Sequence, residues 1–327
     1  MKGSYSISVQ NNRIKYEFTI KRNITVVQGN SATGKTSLVD MIREYQLNGP
    51  ESGINLSCKK KCVVLEGNDW KDNLSLFSDC IVFIDEGNSF VSSVVFSNQI
   101  KKTNNYYVII TREGLENLPY SVNEIYGIHT SGKYADLKQV YHEFYNIYDV
   151  TQNFENKEIS QILTEDSNSG FDFFSNMAKE KYDCKSANGK SNIFTFLNQT
   201  DSKTLVVADG AAFGSQMNKV SKIIRQKNNT ILFLPESFEY LLLQADILKD
   251  KEITQILDNP SDFIDSKEYF SWEQFFTKFL IQKTKSTFLK YSKRKLNKNY
   301  LEGSIKTKII NSKAFIAIKS LFDKAEN

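Results

Sequence analysis

A phosphate-cradling motif lies near the start of the chain. Gly29 and Gly34 enclose four residues and are followed by Lys35 and Thr36, in the spacing G-x4-G-K-[ST]. Glycines at these positions permit backbone conformations that point several N–H groups at phosphate oxygens. The lysine reaches the outer phosphates of a bound nucleotide, and the threonine hydroxyl ligates Mg2+. The predicted nucleotide-binding residues are Gly29, Asn30, Ser31, Ala32, Thr33, Gly34, Lys35, Thr36 and Ser37.

Two carboxylates follow an apolar run farther along the chain. The run CIVFI is followed directly by Asp85 and Glu86. Asp85 is expected to share Mg2+ with Thr36, and Glu86 to polarise an attacking water. Phosphoryl transfer requires mainly positioning and charge stabilisation. Lys35, Asp85 and Glu86 are therefore the predicted catalytic residues for hydrolysis of a nucleoside triphosphate, with ATP and Mg2+ as ligands.

Acidic residues also follow apolar runs in the second half. They are Glu165 in ILTED, Asp209 in LVVADGA, and Glu236 with Glu239 in FLPESFEYLLL. Because the carboxyl ends of parallel strands share one edge of a sheet, these side chains are expected to converge. Convergent carboxylates bind Mg2+, which suits phosphodiester chemistry. The pattern predicts a second Mg2+ site at Glu165, Asp209 and Glu236; solvated strand ends or helix caps are the alternative.

Alternating strands and helices must position the first set of residues. Two alternating runs, SYSISV and IKYEFTI, predict a β-hairpin across Asn11-Asn12. Apolar strands and intervening helices follow, so we expect a largely parallel α/β sheet. YYVIIT ends in Thr111-Arg112, interpreted as a polar sensor or as an ordinary strand end. KYADLKQVYHEFYNIYDV is predicted to close this first domain, residues 1–150, with a helix.

The second half repeats the alternation and ends in a basic tail. Strands are predicted in QILTED, KTLVVAD and NTILFLPE, with helices between them, as a second small α/β domain within residues 155–327. Residues 278–319 carry 12 Lys and Arg and one acid. This helical tail is interpreted either as a contact surface for nucleic acid or as a solvated face.

The first domain resembles a P-loop NTPase of the additional-strand group, which includes ABC, RecA-like and AAA ATPases. The resemblance rests on ITVVQGNSATGKTS, on the preceding hairpin and on IVFIDE, which is similar to a Walker B motif. Only 50 positions separate Lys35 from Asp85, and no LSGGQ-like signature occurs between them. The resemblance implies a trimmed P-loop domain that binds and hydrolyses ATP.

Residues 158–250 resemble the TOPRIM domain of topoisomerases, primases and OLD-family nucleases. The acids after successive strands carry this resemblance, together with ANGKSNIFTFL and LPESFEYLLL, which are similar to segments of TOPRIM-like domains beside anti-phage ATPases. The D-x-D pair of that family is reduced to Asp209-Gly210-Ala211. The resemblance implies an ATPase that regulates a TOPRIM-like domain acting on nucleic acid, in phage defence or on a mobile element.

Two other functions stay open at this stage. One is a nucleotide-sensing module that binds a protein partner or forms a homo-oligomer, without nuclease activity. The other is a small-molecule kinase. The sequence predicts no membrane span, because no apolar run approaches about 20 residues. A cytoplasmic protein is expected from the four cysteines and from a start, MKGSYSISVQ, without the apolar region of a secretory signal. Cys58 and Cys62 form C-x3-C, but the spacing of the other cysteines and of the two histidines disfavours a zinc site.

Overall fold

Contacts divide the chain into two units, which this computed structural model describes over residues 1–29, 33–131, 139–148, 154, 157–179 and 181–323. Unit 1 comprises Met1–Tyr148 with Asn259–Ser271, and unit 2 comprises Asp149–Asp258 with Trp272–Asn327. Residues 259–271, which the sequence placed with the second domain, therefore lie in unit 1. The Asn23 side chain donates to the Phe270 carbonyl at 2.7 Å, and the Gly3 N–H to the Ser261 carbonyl at 2.7 Å.

Unit 1 is built on one sheet of nine described strands. The order across the sheet is β4-β1-β2-β9-β8-β3-β7-β6-β5. The strands are β1 (Tyr5–Gln10), β2 (Ile14–Ile20), β3 (Ile24–Val27), β4 (Asn55–Ser57), β5 (Lys61–Val64), β6 (Cys80–Ile84), β7 (Tyr106–Ile110), β8 (Ile125–Thr130) and β9 (Val140–Asn146). The helices are α1 (Lys35–Asn48), α2 (Trp70–Ser75) and α3 (Val94–Ile100).

The predicted hairpin forms from β1 and β2, which pair antiparallel. The Asn11 side-chain oxygen accepts the N–H groups of Arg13 and Ile14, each at 2.9 Å, and so shapes the turn. Strands β3, β5, β6 and β7 pair parallel with their neighbours. Among these, β3, β6 and β7 are buried along their whole length, as apolar strands covered on both faces must be.

The prediction of a helix at the end of the first domain is wrong for residues 140–146. They form β9, which pairs parallel with β2 and antiparallel with β8. The aromatic and β-branched residues Val140, Tyr141, Phe144 and Tyr145 suit a strand, and Phe144 stacks on Phe18 at 4.1 Å between ring centroids. The preceding residues of that segment, 133–138, and its last two, 149 and 150, lie outside the described part.

Unit 2 contains a parallel sheet of four described strands in the order β11-β10-β12-β13. The strands are β10 (Gln161–Thr164), β11 (Asp183–Ser186), β12 (Thr204–Val207) and β13 (Thr230–Phe233). The helices are α4 (Ser169–Ala178), α5 (Lys190–Gln199), α6 (Met217–Lys227), α7 (Phe238–Leu243), α8 (Lys251–Asp258), α9 (Trp272–Thr284), α10 (Gly303–Ile310) and α11 (Ile316–Asp323).

Both units are therefore α/β, as the sequence predicted. The basic tail is helical in part only, because residues 285–302 between α9 and α10 are irregular apart from one short turn of 3-10 helix. Within the described residues, no helix is both long enough and apolar enough to cross a membrane.

Candidate functional site

A glycine loop, residues 29–36, connects β3 to α1 in unit 1. Gly29 has φ +131° and Gly34 has φ +88°, conformations that favour glycine. The Lys35 side chain is only 5% exposed, and its ammonium donates to the Gly29 carbonyl and the Thr33 hydroxyl, each at 3.0 Å. Burial lowers the pKa of Lys35. Its charge thus lies against the loop, while the predicted residues 30–32 fall outside the described part.

Strands β2 and β9 support the loop through two side chains that the sequence analysis did not identify. The Tyr16 hydroxyl donates to the Gly34 carbonyl at 2.7 Å, and the His142 ring stacks on Tyr16 with 4.9 Å between centroids. A Cβ atom at position 34 would lie 2.7 Å from the Tyr16 hydroxyl. Burial raises the pKa of Tyr16 to about 12, and Ser37 partly offsets this rise. Thr36 is exposed at the start of α1.

The parallel strands bring the other predicted residues to the same edge of the sheet. Strand β7 lies between β3 and β6, so the glycine loop, Arg112 and Asp85 all follow the carboxyl ends of adjacent strands. The electrostatic neighbours of the Lys35 ammonium are Glu86, Arg112 and Asp85. The structure thus brings together the three predicted catalytic residues and the arginine interpreted as a sensor.

The two carboxylates at this edge have different surroundings. Burial raises the pKa of Asp85, whose side chain accepts the Glu86 N–H at 2.8 Å. Arg112 donates to both oxygens of Glu86, at 3.0 and 2.6 Å, and this lowers the pKa of Glu86. Glu86 is therefore held ionised. Asp85 is a desolvated carboxylate whose charge a cation would favour.

The donor set suits Mg2+ bound together with a nucleotide. Among the described residues, no group of three or more His, Cys, Asp or Glu side chains is arranged to hold a metal ion. Mg2+ is commonly held by one or two carboxylates, waters and substrate phosphates. Asp85 and Thr36 supply oxygen donors of that kind, and the remaining positions would be filled by phosphate and water.

Unit 2 contains a second group of acids around a small cavity of about 40 Å³. Glu165 follows β10 and Asp209 follows β12, and the Asp209 N–H donates to the Glu165 carboxylate at 3.2 Å. Glu239 on α7 is 1% exposed and also lines the cavity. One Glu239 oxygen accepts the Tyr291 hydroxyl at 2.8 Å, and the other has no hydrogen-bond partner among the described residues.

Burial dominates the electrostatics of these acids. It raises the pKa of Glu165 to about 7, with a further contribution from nearby Glu273. Burial, with the charges of Glu273, Glu239 and Glu165, raises the pKa of Asp209 well above its ordinary range. Lys293, which contacts Glu273 and lines the cavity, partly offsets this. The cavity has room for water or an ion, whereas a nucleotide is far larger.

The predicted second Mg2+ site is placed only in part. Glu165 and Asp209 come together, but Glu236 is half-buried and is absent from the described residues that line the cavity. Glu239 lies there instead, because α7 begins at Phe238 and turns it inward. The three cavity acids fit a cation chemically, since one buried oxygen of Glu239 lacks a partner in the described part of the chain. Among the same residues, their side chains are not arranged as a ligand set.

Lys293 and Tyr291 belong to the basic tail, which the sequence analysis interpreted as a surface. Three other tail lysines make contacts inside unit 2: Lys283 with Asp250, Lys306 with Asn176 and Lys319 with Asn311. The exposed basic side chains of the tail are Lys278, Lys285, Lys290, Arg294, Lys295, Lys298, Lys308 and Lys313. The tail thus supplies both a cavity residue and exposed charge.

No protein-family model matches the chain, and a search of the curated proteins finds no match.

Proposed function

We propose that unit 1 is a P-loop domain that binds ATP with Mg2+ and hydrolyses it. The observation that carries this proposal is the meeting of Lys35, Asp85, Glu86 and Arg112 at one edge of the sheet, beside a loop with two glycines at positive φ. An anionic phosphate suits this position, because the loop precedes a helix N-terminus and contains a buried ammonium.

Each side chain has a distinct part in the proposed reaction. Lys35 would exchange its contacts with the loop for contacts with the outer phosphates. Glu86 would orient and polarise the attacking water, and Arg112 would stabilise charge that develops on the transferred phosphoryl group. Asp85 and Thr36 would hold Mg2+, which would neutralise phosphate charge.

The test separates ATP binding from turnover. Lys35→Ala should weaken ATP binding at least about tenfold, the scale of a lost charge-assisted hydrogen bond. Glu86→Gln should leave the Kd for ATP within a few-fold of the parent value and abolish phosphate release, since the carboxylate acts mainly in the transition state. Lys21→Ala, at an exposed lysine in unit 1, is the matched control. Parent-like ATP affinity in Lys35→Ala would contradict the proposal.

A specific observation favours a second activity, metal-dependent cleavage of nucleic acid by a TOPRIM-like unit 2. It is the cavity that joins Glu165, Asp209 and Glu239 to Lys293, with one buried Glu239 oxygen left without a described partner. These carboxylates would hold a divalent cation, and Lys293 would contact the phosphodiester. The exposed lysines of the tail would add sequence-independent attraction to the backbone.

The nuclease proposal is tested on the full chain with single- and double-stranded DNA and RNA, with Mg2+ and with or without ATP. Glu165→Gln and Asp209→Asn should each abolish cleavage, while Asp201→Asn, at an exposed acid of unit 2, should not. Cleavage that persists in both cavity variants would exclude this site.

ATP-dependent association with a protein partner, without cleavage, would favour the sensing module. Phosphate transfer to an added metabolite would favour the kinase.

A further inference from the structure

A pair of thiols lies at the turn between β4 and β5 in unit 1, away from the residues used above. The Lys60 N–H donates to the Cys58 sulfur at 3.4 Å. The Cys62 thiol points at the carbonyl of the same residue, 3.8 Å away. The two sulfurs therefore flank the main chain of Lys60. The Cys62 thiol also lowers the pKa of the Cys58 thiol.

Solvent reaches one member of this pair. Cys58 and Cys62 both line a surface cavity of about 380 Å³, beside Tyr45 and Gln46 of α1. Cys58 is half-buried, whereas Cys62 is buried. A small molecule entering from solvent would therefore meet Cys58 first, with Cys62 behind it.

Strand register separates the pair from the nearby third thiol. Cys62 lies opposite Ile81 on β6, and both face the same apolar core, against which Cys58 also packs. Cys80 lies opposite Lys61 and so points to the other face of the sheet, where its thiol donates to the Ser78 carbonyl at 3.2 Å. The partner on the face of Cys62 is therefore Cys58.

We propose that Cys58 and Cys62 form an oxidation site at which a peroxide converts the two thiols into a disulfide. The Cys58 thiolate attacks one peroxide oxygen, the O–O bond breaks, and the distal oxygen leaves as water or an alcohol. The Cys62 sulfur then attacks the Cys58 sulfenic acid, gives up its proton, and expels a second water. Two thiols are oxidised to one disulfide and one peroxide is reduced, so the electrons balance.

The surroundings assign the first step to Cys58. Its sulfur accepts main-chain N–H groups and lies near the Lys60 ammonium, an environment that favours a thiolate. Cys62 faces the core, its thiol donates to the Lys60 carbonyl, and its pKa is raised by its interaction with Cys58 and by burial. The exposed thiolate is thus the attacking group, and the buried thiol is the resolving one.

The experiment treats the full-length folded protein with stoichiometric hydrogen peroxide, blocks free thiols and digests with an endoprotease that cuts after Glu. Cleavage after Glu51 and Glu66 places Cys58 and Cys62 in one peptide that excludes Cys80. We expect this peptide to lose two hydrogens and to take up thiol label only after reduction. It should oxidise at least about tenfold faster than Cys184 loses label, since the surroundings of Cys58 favour the thiolate whereas burial raises the pKa of Cys184.

A variant identifies the order of the steps. Cys62→Ser should leave a sulfenic acid on Cys58 that a 1,3-dione reagent traps, and Cys80→Ser should oxidise as the parent does. A disulfide between the 52–66 peptide and Cys80 would overturn the proposal. So would equal oxidation of Cys184, or an unmodified 52–66 peptide. The parent protein alone gives the main result, so the proposal stays testable even if a variant fails to fold.

Discussion

Arg112 binds the Glu86 carboxylate in a bidentate manner, with its Nε 3.0 Å from Oε2 and an Nη 2.6 Å from Oε1. The two residues follow adjacent parallel strands, and both influence the buried Lys35 ammonium. The pair therefore lies where the outer phosphate of a nucleotide is proposed to bind. The pair joins Glu86, which is proposed to orient the attacking water, to Arg112, a cation near the proposed phosphate position.

Arg112→Ala should lower ATP turnover about tenfold or more, because one charge-assisted contact to the reacting phosphate is lost. The unfolding temperature should hardly change, since the Arg112 side chain is 59% exposed and surface ion pairs add little stability. ATP turnover in Arg112→Lys should lie between that of the parent and that of Arg112→Ala, because lysine keeps the charge but cannot bind at two points. Steady-state phosphate release checks this. Parent-like turnover in Arg112→Ala, beside an inactive Glu86→Gln, would remove Arg112 from the mechanism.

Gly34→Ala should destroy ATP binding, because a methyl group would meet the Tyr16 hydroxyl at 2.7 Å and φ is +88°. The matched control is Gly53→Ala, which also has positive φ but has nothing within 4 Å of the added atom. Both variants should lose about 1 kcal/mol or more of unfolding free energy through backbone strain. Only Gly34→Ala should lose nucleotide, as measured by calorimetry. Equal ATP affinity in the two variants would show that the loop tolerates displacement.

Much of unit 1 follows from local sequence. The motif of residues 29–36 places its glycines where positive φ is needed, and continuous apolar runs predict the buried strands β3, β6 and β7. The strand β9 could not be foreseen in this way. Its pairing with β2 and β8 depends on residues far apart in sequence, and its mixture of polar and aromatic side chains is compatible with either structure.

The candidate sites show the same limit. Asp85 and Glu165 can be predicted from the sequence because each directly follows an apolar strand. The sequence itself shows where such a strand ends. The structure replaces Glu236 with Glu239 in the cavity because the helix start at Phe238 decides which glutamate turns inward. Tyr16 and Lys293 reach their sites through tertiary packing. Neither the alternation around Tyr16 nor the charge run around Lys293 signals that placement.

Asp209→Asn should stabilise unit 2 while it abolishes cleavage. The carboxylate is buried among other acids, and burial disfavours its charge. Asparagine removes that cost and retains an oxygen to accept the Phe238 N–H, which Asp209 binds at 3.1 Å. Unfolding without added metal should shift upward by about 2–4 °C for each kcal/mol gained. Asp201→Asn should change neither property. A lower unfolding temperature in Asp209→Asn would mean that the acid serves folding.

The alkylation rate of Cys58 should rise with pH, reach half its maximum near pH 6 and level off at higher pH once the thiolate dominates. The hydrogen bond from Cys62 is the main reason that the Cys58 pKa falls to about 6, helped by the main-chain N–H groups of Lys60 and Lys59 and by the Lys60 charge. Below that pH the unreactive thiol dominates, and above it the thiolate does. Burial raises the pKa of Cys184, so the alkylation rate of Cys184 should still be rising at pH 8. Tyr5 is a further ionisable neighbour.

Cys62→Ala removes that hydrogen-bond donor and should move the midpoint of the Cys58 alkylation profile to higher pH. Label uptake into the peptide of residues 52–66, measured by mass spectrometry from pH 5 to 9, gives the profile. An unchanged midpoint in Cys62→Ala would show that the two thiols do not interact.

Tyr291→Phe should impair the unit 2 cavity beyond its effect on stability. The Tyr291 hydroxyl bridges Ser169, at 2.5 Å, and the buried Glu239 carboxylate, at 2.8 Å. Its loss should cost about 1–3 kcal/mol of unfolding free energy and leave Glu239 without its described donor. Tyr300→Phe is the matched control, because that buried hydroxyl donates to the Leu289 carbonyl at 2.6 Å, away from the acids. Denaturant unfolding should show similar losses in the two variants. Nucleic-acid cleavage, assayed well below both unfolding midpoints, should fall in Tyr291→Phe alone. Only in that variant does Glu239 lose the contact that fixes its orientation. Equal cleavage in the two variants would mean that the hydrogen bond serves packing only.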